Sequence, residues 1–251
     1  MSTIQRRIAQ AFRRHDWFTA AVEVMIVVLG VFIGLQVNNW NESRGDRARE
    51  RVHLANLAED VRSDIDDIDE INRVSGLRMS AMGYLLEEAG GRPLPPGFDS
   101  ARGRITVEPS ARYREGDPNS IGIAMFIFTP FDGNRLTYDT LVNTGDIGLL
   151  ADPSLVREIQ TYYASVEKVR HFEFALEQNR TVLVEAQQQA GLSAVDETPA
   201  RALAERFSGS PEMLAAARNY WLYTNRHLRL MRELRVKAMT LANRLQAVIA
   251  E

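Results

Sequence analysis

The chain has 251 residues, of which 45% are hydrophobic and 25% charged, and its 30 basic and 33 acidic residues nearly cancel. This length and composition suffice for one substantial core. The near-neutral charge and the missing fingerprints of a nucleic-acid reader argue against nucleic acid as a partner. Because the chain has no cysteine, disulfides, thiolate catalysis and Cys-ligated metal sites are excluded.

An apolar segment, residues 17–37, is the strongest signal in the sequence. It contains one charged side chain, Glu23. At 1.5 Å per residue it extends about 31 Å, which is the hydrocarbon thickness of a bilayer. The segment runs on into two asparagines and Trp40 instead of a small-residue cleavage site. We therefore expect a single uncleaved transmembrane helix that contacts membrane lipid.

The charges that flank this segment predict its orientation. Residues 1–16 contain four arginines, and their first acidic residue is Asp16. The basic residues after the span are instead mixed with acids. The positive-inside rule then places residues 1–16 in the cytoplasm, as a basic amphipathic segment on the inner leaflet or as a disordered tail. Residues beyond about 41 are expected outside the cytoplasm, which in a bacterium means an inner-membrane protein with a periplasmic domain.

One face of the predicted span combines an acid, small residues and amides. On a helical projection this face carries Glu23, Gly30, Gly34, Asn38 and Asn41. Small residues four apart let helices approach closely, and an intramembrane carboxylate needs a partner. The pattern predicts association with another span, in a homo-oligomer or with another membrane protein. The alternatives are a chance pattern in which Glu23 reaches the interface or is protonated, and a proton pathway.

Residues 38–89 are predicted to continue the span as an amphipathic stalk helix, because their apolar residues recur at steps of three and four. Seven acids fall within residues 59–70. They lack the loop pattern of a calcium site, so a solvated or ion-paired helix face is the favoured interpretation.

Residues 90–134 are predicted to form a loop-rich insert, since six of the nine prolines lie there. Within it, residues 121–128 read IGIAMFIF, which suits a buried strand, with residues 104–107 as a weak pairing candidate. Core packing is the favoured role of this run. The alternative is a partner or membrane-surface site that includes Ile121, Ile123, Phe126 and Phe128.

Residues 135–251 are predicted to form a helical bundle domain. Three helix starts each place a capping residue before a proline, at Asp152, Thr198 and Ser210. The two longest helices are expected to pack with the stalk in an antiparallel bundle or coiled coil. Seven basic residues in the last helix complement the acidic run of the stalk. The fold class is therefore mainly α.

A search for chemistry finds no nucleophile elbow, phosphate-binding loop, dinucleotide fingerprint or zinc-protease motif. Glu167 and His171 supply two ligands, fewer than a metal site needs. No catalytic residue, metal or cofactor is predicted. The turn at Asn143, Gly145 and Asp146 is a possible ligand or partner loop, although a corner that buttresses the bundle is favoured.

Two segments resemble a family of bacterial single-span membrane proteins that is known as a domain of unknown function. The first is EVMIVVLGVFIGLQVNNWNE, residues 23–42, followed by a Leu-x-x-Leu-x-x-Asp pattern that ends at Asp60. The second is residues 136–163, with a small-Gly turn and paired tyrosines. The resemblance implies the family's membrane topology and no catalytic activity.

The sequence thus predicts a non-enzymatic, membrane-anchored structural protein, which oligomerises or serves as an accessory subunit of a membrane complex. The alternative is a sensor whose bundle binds a small ligand and passes a shift to the span. Such a sensor would need a partly polar pocket among Tyr162, His171, Trp221 and Tyr223.

Overall fold

The computed structural model describes residues 16–91, 107–110, 112–114, 120–193 and 196–250. Of the described residues 84% are helical and none forms a strand, which confirms the mainly α fold. The chain divides into two compact units, residues 1–52 and residues 53–251. The predicted cytoplasmic segment lies outside the described residues except for Asp16, the first residue of the first helix.

The helix α1 runs without interruption over Asp16–Glu88 and contributes to both units. It contains no proline, and the apolar spacing of its second half matches a helical period. Within the first unit its side chains from residue 21 to residue 45 are all exposed. From Leu54 onwards, in the second unit, one face of α1 is buried.

Five further α-helices and one 3-10 turn follow in the described part of the second unit. They are α2 (Ile121–Phe126), α3 (Leu136–Thr144), the 3-10 turn Asp146–Leu149, α4 (Pro153–Gln189), α5 (Ala200–Ser208) and α6 (Pro211–Ala250).

Two apolar clusters form the core of the second unit. The first contains residues 54–71 of α1, residues 155–169 of α4 and residues 230–245 of α6. The second contains residues 79–89 of α1, the later part of α4 and residues 213–228 of α6, together with α2 and α5. Because α6 meets the clusters in the opposite order, it runs antiparallel to α1 and α4.

The helix starts follow the capping signals with one exception. The Asp152 side chain accepts a hydrogen bond from the Ser154 N–H at 2.8 Å, and Ser210 accepts from the Met213 N–H at 3.3 Å. At α5 the predicted Thr198 cap is wrong by one residue. There Pro199, with an extended ψ of 141°, is the N-cap residue and no side chain caps the helix.

The apolar run at residues 121–128 forms a short helix, so the predicted strand is wrong. Ser120 caps the helix by accepting from the Ile123 N–H at 3.3 Å. A strand needs a neighbour for its ladder, and the described residues contain no strand. Residues 104–106, the candidate partner, lie outside the described residues.

The interpretation of this run as core packing agrees with the structure at most positions. Ile121 and Phe126 are buried, while Ile123 is exposed on the opposite face. Phe128 is half-buried beyond the helix end.

We expect Gly133→Ala to lower the free energy of unfolding by about 2–4 kcal/mol, because it combines a strained backbone with a steric clash. Gly133 has φ +64°, and a Cβ there would lie 2.7 Å from Val166 Cγ1. Gly145 has φ +80° but open space around it, so Gly145→Ala should cost only about 1–2 kcal/mol. Chemical denaturation of the full chain in detergent micelles, followed by circular dichroism, measures both.

The control is Gly76→Ala, in the interior of α1 with nothing within 4 Å of the added Cβ. It should leave stability unchanged or raise it by up to about 1 kcal/mol. Equal losses for Gly133→Ala and Gly145→Ala would show that Val166 moves aside at little cost.

Candidate functional site

The three long helices share a heptad pattern of inward-facing positions, which we call the heptad seam. On each helix these positions alternate steps of three and four residues and nearly all are buried. The seam comprises residues 54, 57, 61, 64, 68, 71, 75, 78, 82 and 85 of α1; 155, 159, 162, 166, 169, 173, 176, 180, 183 and 187 of α4; and 213, 217, 220, 224, 227, 231, 234, 238, 241 and 245 of α6.

Polar side chains interrupt this seam where the two apolar clusters meet. Ser75 and Arg78 of α1, Glu173 of α4 and His227 of α6 are all buried there. We call these four residues the polar layer. Polar groups at this depth are tolerated only with hydrogen-bond partners, and the contacts among them provide several.

His227 connects the other two helices through its two ring nitrogens. Its Nε2 lies 2.9 Å from Glu173 Oε1, and its Nδ1 lies 3.4 Å from Ser75 Oγ. The Glu173 carboxylate also accepts the Phe131 N–H at 3.1 Å. Burial lowers the pKa of His227, and the hydrogen bond that it donates to the Glu173 carboxylate opposes that shift only in part. The neutral ring, with Nε2 as donor and Nδ1 as acceptor, fits both neighbours.

Ser75, His227 and Glu173 have the contact order of a nucleophile, a base and an orienting acid. Ser75 is 1% exposed and His227 is fully buried. The Ser75 hydroxyl also accepts a hydrogen bond from Arg78 at 3.2 Å. A substrate carbonyl would have to reach Ser75 Oγ for acyl transfer, so the enclosed geometry favours a structural role for these contacts.

Arg78 places a guanidinium inside the bundle. Nη1 donates to the Ile127 carbonyl at 3.0 Å, and Cζ lies 5.4 Å from the centre of the Phe128 ring. Among the described residues no carboxylate lies within ion-pair distance of Arg78. Burial lowers its pKa, since the cation loses its hydration.

A second buried polar position, Asp64, lies within the acidic run of α1. Asp64 is fully buried and accepts the Tyr162 hydroxyl at 2.5 Å and the Asn134 N–H at 2.6 Å. Burial raises its pKa, against the lowering effect of these two hydrogen bonds. The prediction of a solvated or ion-paired face is therefore wrong for Asp64, because its seam position turns it inward.

The rest of the acidic run behaves partly as predicted. Arg235 of α6 donates from Nε and Nη2 to the Asp69 carboxylate, which is the complementary charge contact expected between the two helices. Asp60 instead accepts the Thr137 N–H at 3.2 Å.

The predicted association face of the span lies in the first unit. Glu23, Gly30, Gly34, Asn38 and Asn41 are all helical and exposed. A Cβ added at either glycine would meet nothing within 4 Å. Asn38 donates to Glu42 Oε1 at 2.9 Å. Association through this face stays a prediction.

The part of α1 that precedes the bundle has the length and composition of a membrane span. Among the described helices α1 alone is long and apolar enough to cross a membrane. Trp17 and Trp40 are both exposed and are separated by about 35 Å of helix. Tryptophan is enriched at both interfaces of a bilayer, so the two side chains suit the ends of such a span.

The turn predicted as a possible ligand loop has a structural explanation. Gly145 ends α3 in the left-handed conformation. Asp146 Oδ2 lies 3.2 Å from His53 Nε2, which ties the turn to α1. Asn143 is exposed.

The residues proposed for a sensor pocket do not come together. Tyr162 bonds Asp64 in the first cluster, whereas Trp221 lies beside Gly83 in the second, about 28 Å further along α1. His171 is exposed and contacts the Glu167 carbonyl of its own helix at 2.9 Å.

Residues 23–88 match the model of a family of unknown function (DUF6090). This match covers roughly a quarter of the chain and agrees with the resemblance to a domain of unknown function. No curated protein and no solved structure matches the chain. The matched segment includes Asp64, Ser75 and Arg78, whose partners on α4 and α6 lie outside it.

We expect the stability of the protein to fall as the pH drops below 6.5, the ordinary histidine value. The folded state holds His227 with a lowered pKa, so the unfolded chain binds the proton first. The slope should approach 1.4 kcal/mol per pH unit for one proton. His227→Gln should flatten this slope in thermal melts of the full chain between pH 7.5 and 5.

His171→Gln is the matched control, because His171 is exposed on α4. It should keep the slope of the unmodified protein. An unchanged slope in His227→Gln would show that His227 is not the group that titrates.

Proposed function

We propose that the protein is a non-enzymatic, membrane-anchored structural or accessory protein. Its span crosses a bacterial inner membrane with the N-terminus in the cytoplasm, and its helical bundle lies in the periplasm. The span associates with a second span, either of another copy of this chain or of a different membrane protein. The resemblance to single-span membrane proteins supports this topology.

The observation that carries the proposal is the exposure of the apolar side chains at the start of α1. From Val24 to Val37 every large apolar side chain is at least half exposed. The exposure of so many apolar side chains all around a helix is unfavourable in water. A bilayer supplies the apolar surroundings that the described part of the chain does not provide for this segment.

The same segment supports association between spans. Gly30 and Gly34 leave a shallow surface along the helix, because neither residue has a side chain. Among the described residues, no atom lies within 4 Å of a Cβ added at either position. Between spans, close backbone approach and polar contacts are favourable because lipid offers no hydrogen bonds. Glu23 lies near that surface, where a partner helix would shield or neutralise it.

The chemistry of the bundle supports a non-enzymatic role. The nucleophile–base–acid arrangement formed by Ser75, His227 and Glu173 is enclosed by apolar clusters, and Ser75 already accepts a hydrogen bond from Arg78.

We expect the single substitution Gly34→Cys to give disulfide-linked dimers in membranes, and Phe32→Cys to give few. Gly34 lies on the proposed face and Phe32 lies on the opposite face of the helix. The chain has no cysteine of its own, so each variant carries one thiol. Non-reducing electrophoresis after mild oxidation measures the dimer.

The double variant Gly30→Leu/Gly34→Leu should reduce the native mass in mild detergent to one chain of 28.3 kDa. Val28→Leu/Phe32→Leu, on another face, should leave the mass unchanged. The association would be refuted if the unmodified protein is a monomer and forms no cross-link to itself or to another membrane protein.

Topology has its own test. The substitution Gly45→Cys replaces an exposed glycine that has open space around it. In right-side-out spheroplasts a membrane-impermeant maleimide should label this cysteine without detergent. If labelling requires detergent, residue 45 lies in the cytoplasm and the proposed orientation is wrong.

A further inference from the structure

Residues 127–131, which we call the cover segment, lie against the polar layer of the bundle. They follow α2 and have no regular secondary structure. The Ile127 carbonyl accepts from Arg78 Nη1 at 3.0 Å, and the Phe131 N–H donates to the Glu173 carboxylate at 3.1 Å. The segment is thus hydrogen-bonded to α1 and α4 through two charged members of the polar layer.

The ring of Phe128 lies between these two attachments. Its centre is 5.4 Å from Arg78 Cζ and 6.2 Å from the centre of the His227 ring. Arg78 and His227 are fully buried, whereas Phe128 is half-buried and the next two residues, Thr129 and Pro130, are exposed. On this side of the bundle Phe128 therefore separates the two basic side chains from the surface.

The polar layer favours the neutral form of His227. Among the described residues, Glu173 of α4 and Arg78 of α1 are the charged groups that act on the ring, and the cover segment has no titratable side chain. Protonation of His227 would place two cations beside one carboxylate. The loss of hydration outweighs the attraction of Glu173, so the pKa of His227 lies below its ordinary value. A protonated ring is therefore favoured where water reaches it.

The cover segment is the part of these surroundings that opens most readily. The long helices are held by their own backbone hydrogen bonds and by two apolar clusters, whereas the cover segment has no such ladder. Local openings involve segments of this kind. Phe126, before the segment, and Phe131, at its end, are buried in the two clusters. Opening therefore moves the backbone between these two rings, together with the Phe128 side chain.

We propose that protonation of His227 opens the cover segment and admits water to the polar layer. Water then hydrates the imidazolium and the Arg78 guanidinium, which are buried while the segment is closed. Because the open form binds the proton more tightly, its population rises as the pH falls below 6.5, the ordinary histidine value. This inference goes beyond the anchoring and association proposed above, since it makes the bundle responsive to acidity.

Amide hydrogen exchange of the full chain in detergent micelles, followed by mass spectrometry, tests the proposal. The readout is the exchange of a peptide that spans the cover segment, corrected for the intrinsic rate at each pH. We expect its opening constant to rise about tenfold between pH 7.5 and pH 5.5, because an open form with an ordinary histidine takes up a proton in this range.

The opening should be local. At both pH values the cover segment should exchange faster than the amides around Ile159, which is fully buried in the first cluster. Urea at about 1 M should accelerate exchange around Ile159 and leave the cover segment unaffected, because a local opening exposes little surface.

Two histidine variants identify the group that titrates. His227→Gln keeps a polar side chain and removes the titration, so it should abolish the tenfold rise. His171→Gln should keep that rise, because His171 is exposed on α4.

A variant of the cover tests the role of Phe128 without changing His227. Phe128→Ala should raise the pKa of His227 in the folded protein towards its ordinary value, because water reaches the ring. Nuclear magnetic resonance of labelled imidazoles in the full chain measures this pKa, and His227→Gln assigns the signal. Phe174→Ala, at a position 70% exposed on α4, should leave the pKa as it is in the unmodified protein.

Three outcomes would overturn the proposal. The first is exchange of the cover segment at the same rate and with the same urea dependence as the amides around Ile159, which means that the layer opens only by global unfolding. The second is a tenfold rise that persists in His227→Gln. The third is a His227 pKa that Phe128→Ala leaves unchanged. None of these outcomes bears on association through the span.

Discussion

The guanidinium of Arg78, enclosed between two apolar clusters, fixes how the three long helices meet. An apolar heptad seam alone tolerates sliding by whole heptads, since one leucine layer resembles the next. A buried cation does not tolerate such sliding, because each shifted register would place the charge beside apolar side chains without a hydrogen-bond partner. Ser75, Glu173 and His227 add directional contacts at the same level. Together they select one alignment of α6 against α1 and α4, at a cost in desolvation.

Much of this fold follows from sequence periodicity. Steps of three and four residues identify α1, α4 and α6, and the Asp152 and Ser210 caps mark two helix starts within one residue. These signals are local, because each depends on side chains within a turn or two of helix. The secondary structure of residues 121–128 is harder to predict, since an apolar segment of eight residues suits a strand and a buried helix equally well. Whether such a segment forms a strand or a helix depends on whether a neighbouring strand is present to pair with it.

The polar layer was not predicted, although a signal for it exists. Asp64, Ser75 and Arg78 stand at steps of three, four or seven from apolar seam residues, which marks them as inward-facing. The composition around Asp64 concealed this, because six other acids within twelve residues suggest a solvated face. Which partners such residues find depends on contacts between positions about 50 to 150 apart in sequence, and no local pattern encodes those.

The segment that matches the family of unknown function is accordingly a helix whose partners lie elsewhere in the chain. From His53 to Arg78 its polar side chains bond the 3-10 turn, the residues before α3, and α4 and α6. The matched residues supply one wall of the bundle. The Arg78 side chain donates to Ser75 within this segment and to the Ile127 carbonyl outside it.

The antiparallel position of α6 has a consequence for biosynthesis. Both apolar clusters require α6, which is the last of the long helices to leave the ribosome. Until it emerges, the seams of α1 and α4 have no third helix to cover them. The nascent bundle therefore exposes two apolar stripes for the time that about 60 residues take to be translated, several seconds at the usual rates of elongation. Apolar surface that stays exposed for so long favours aggregation of a partly synthesised chain.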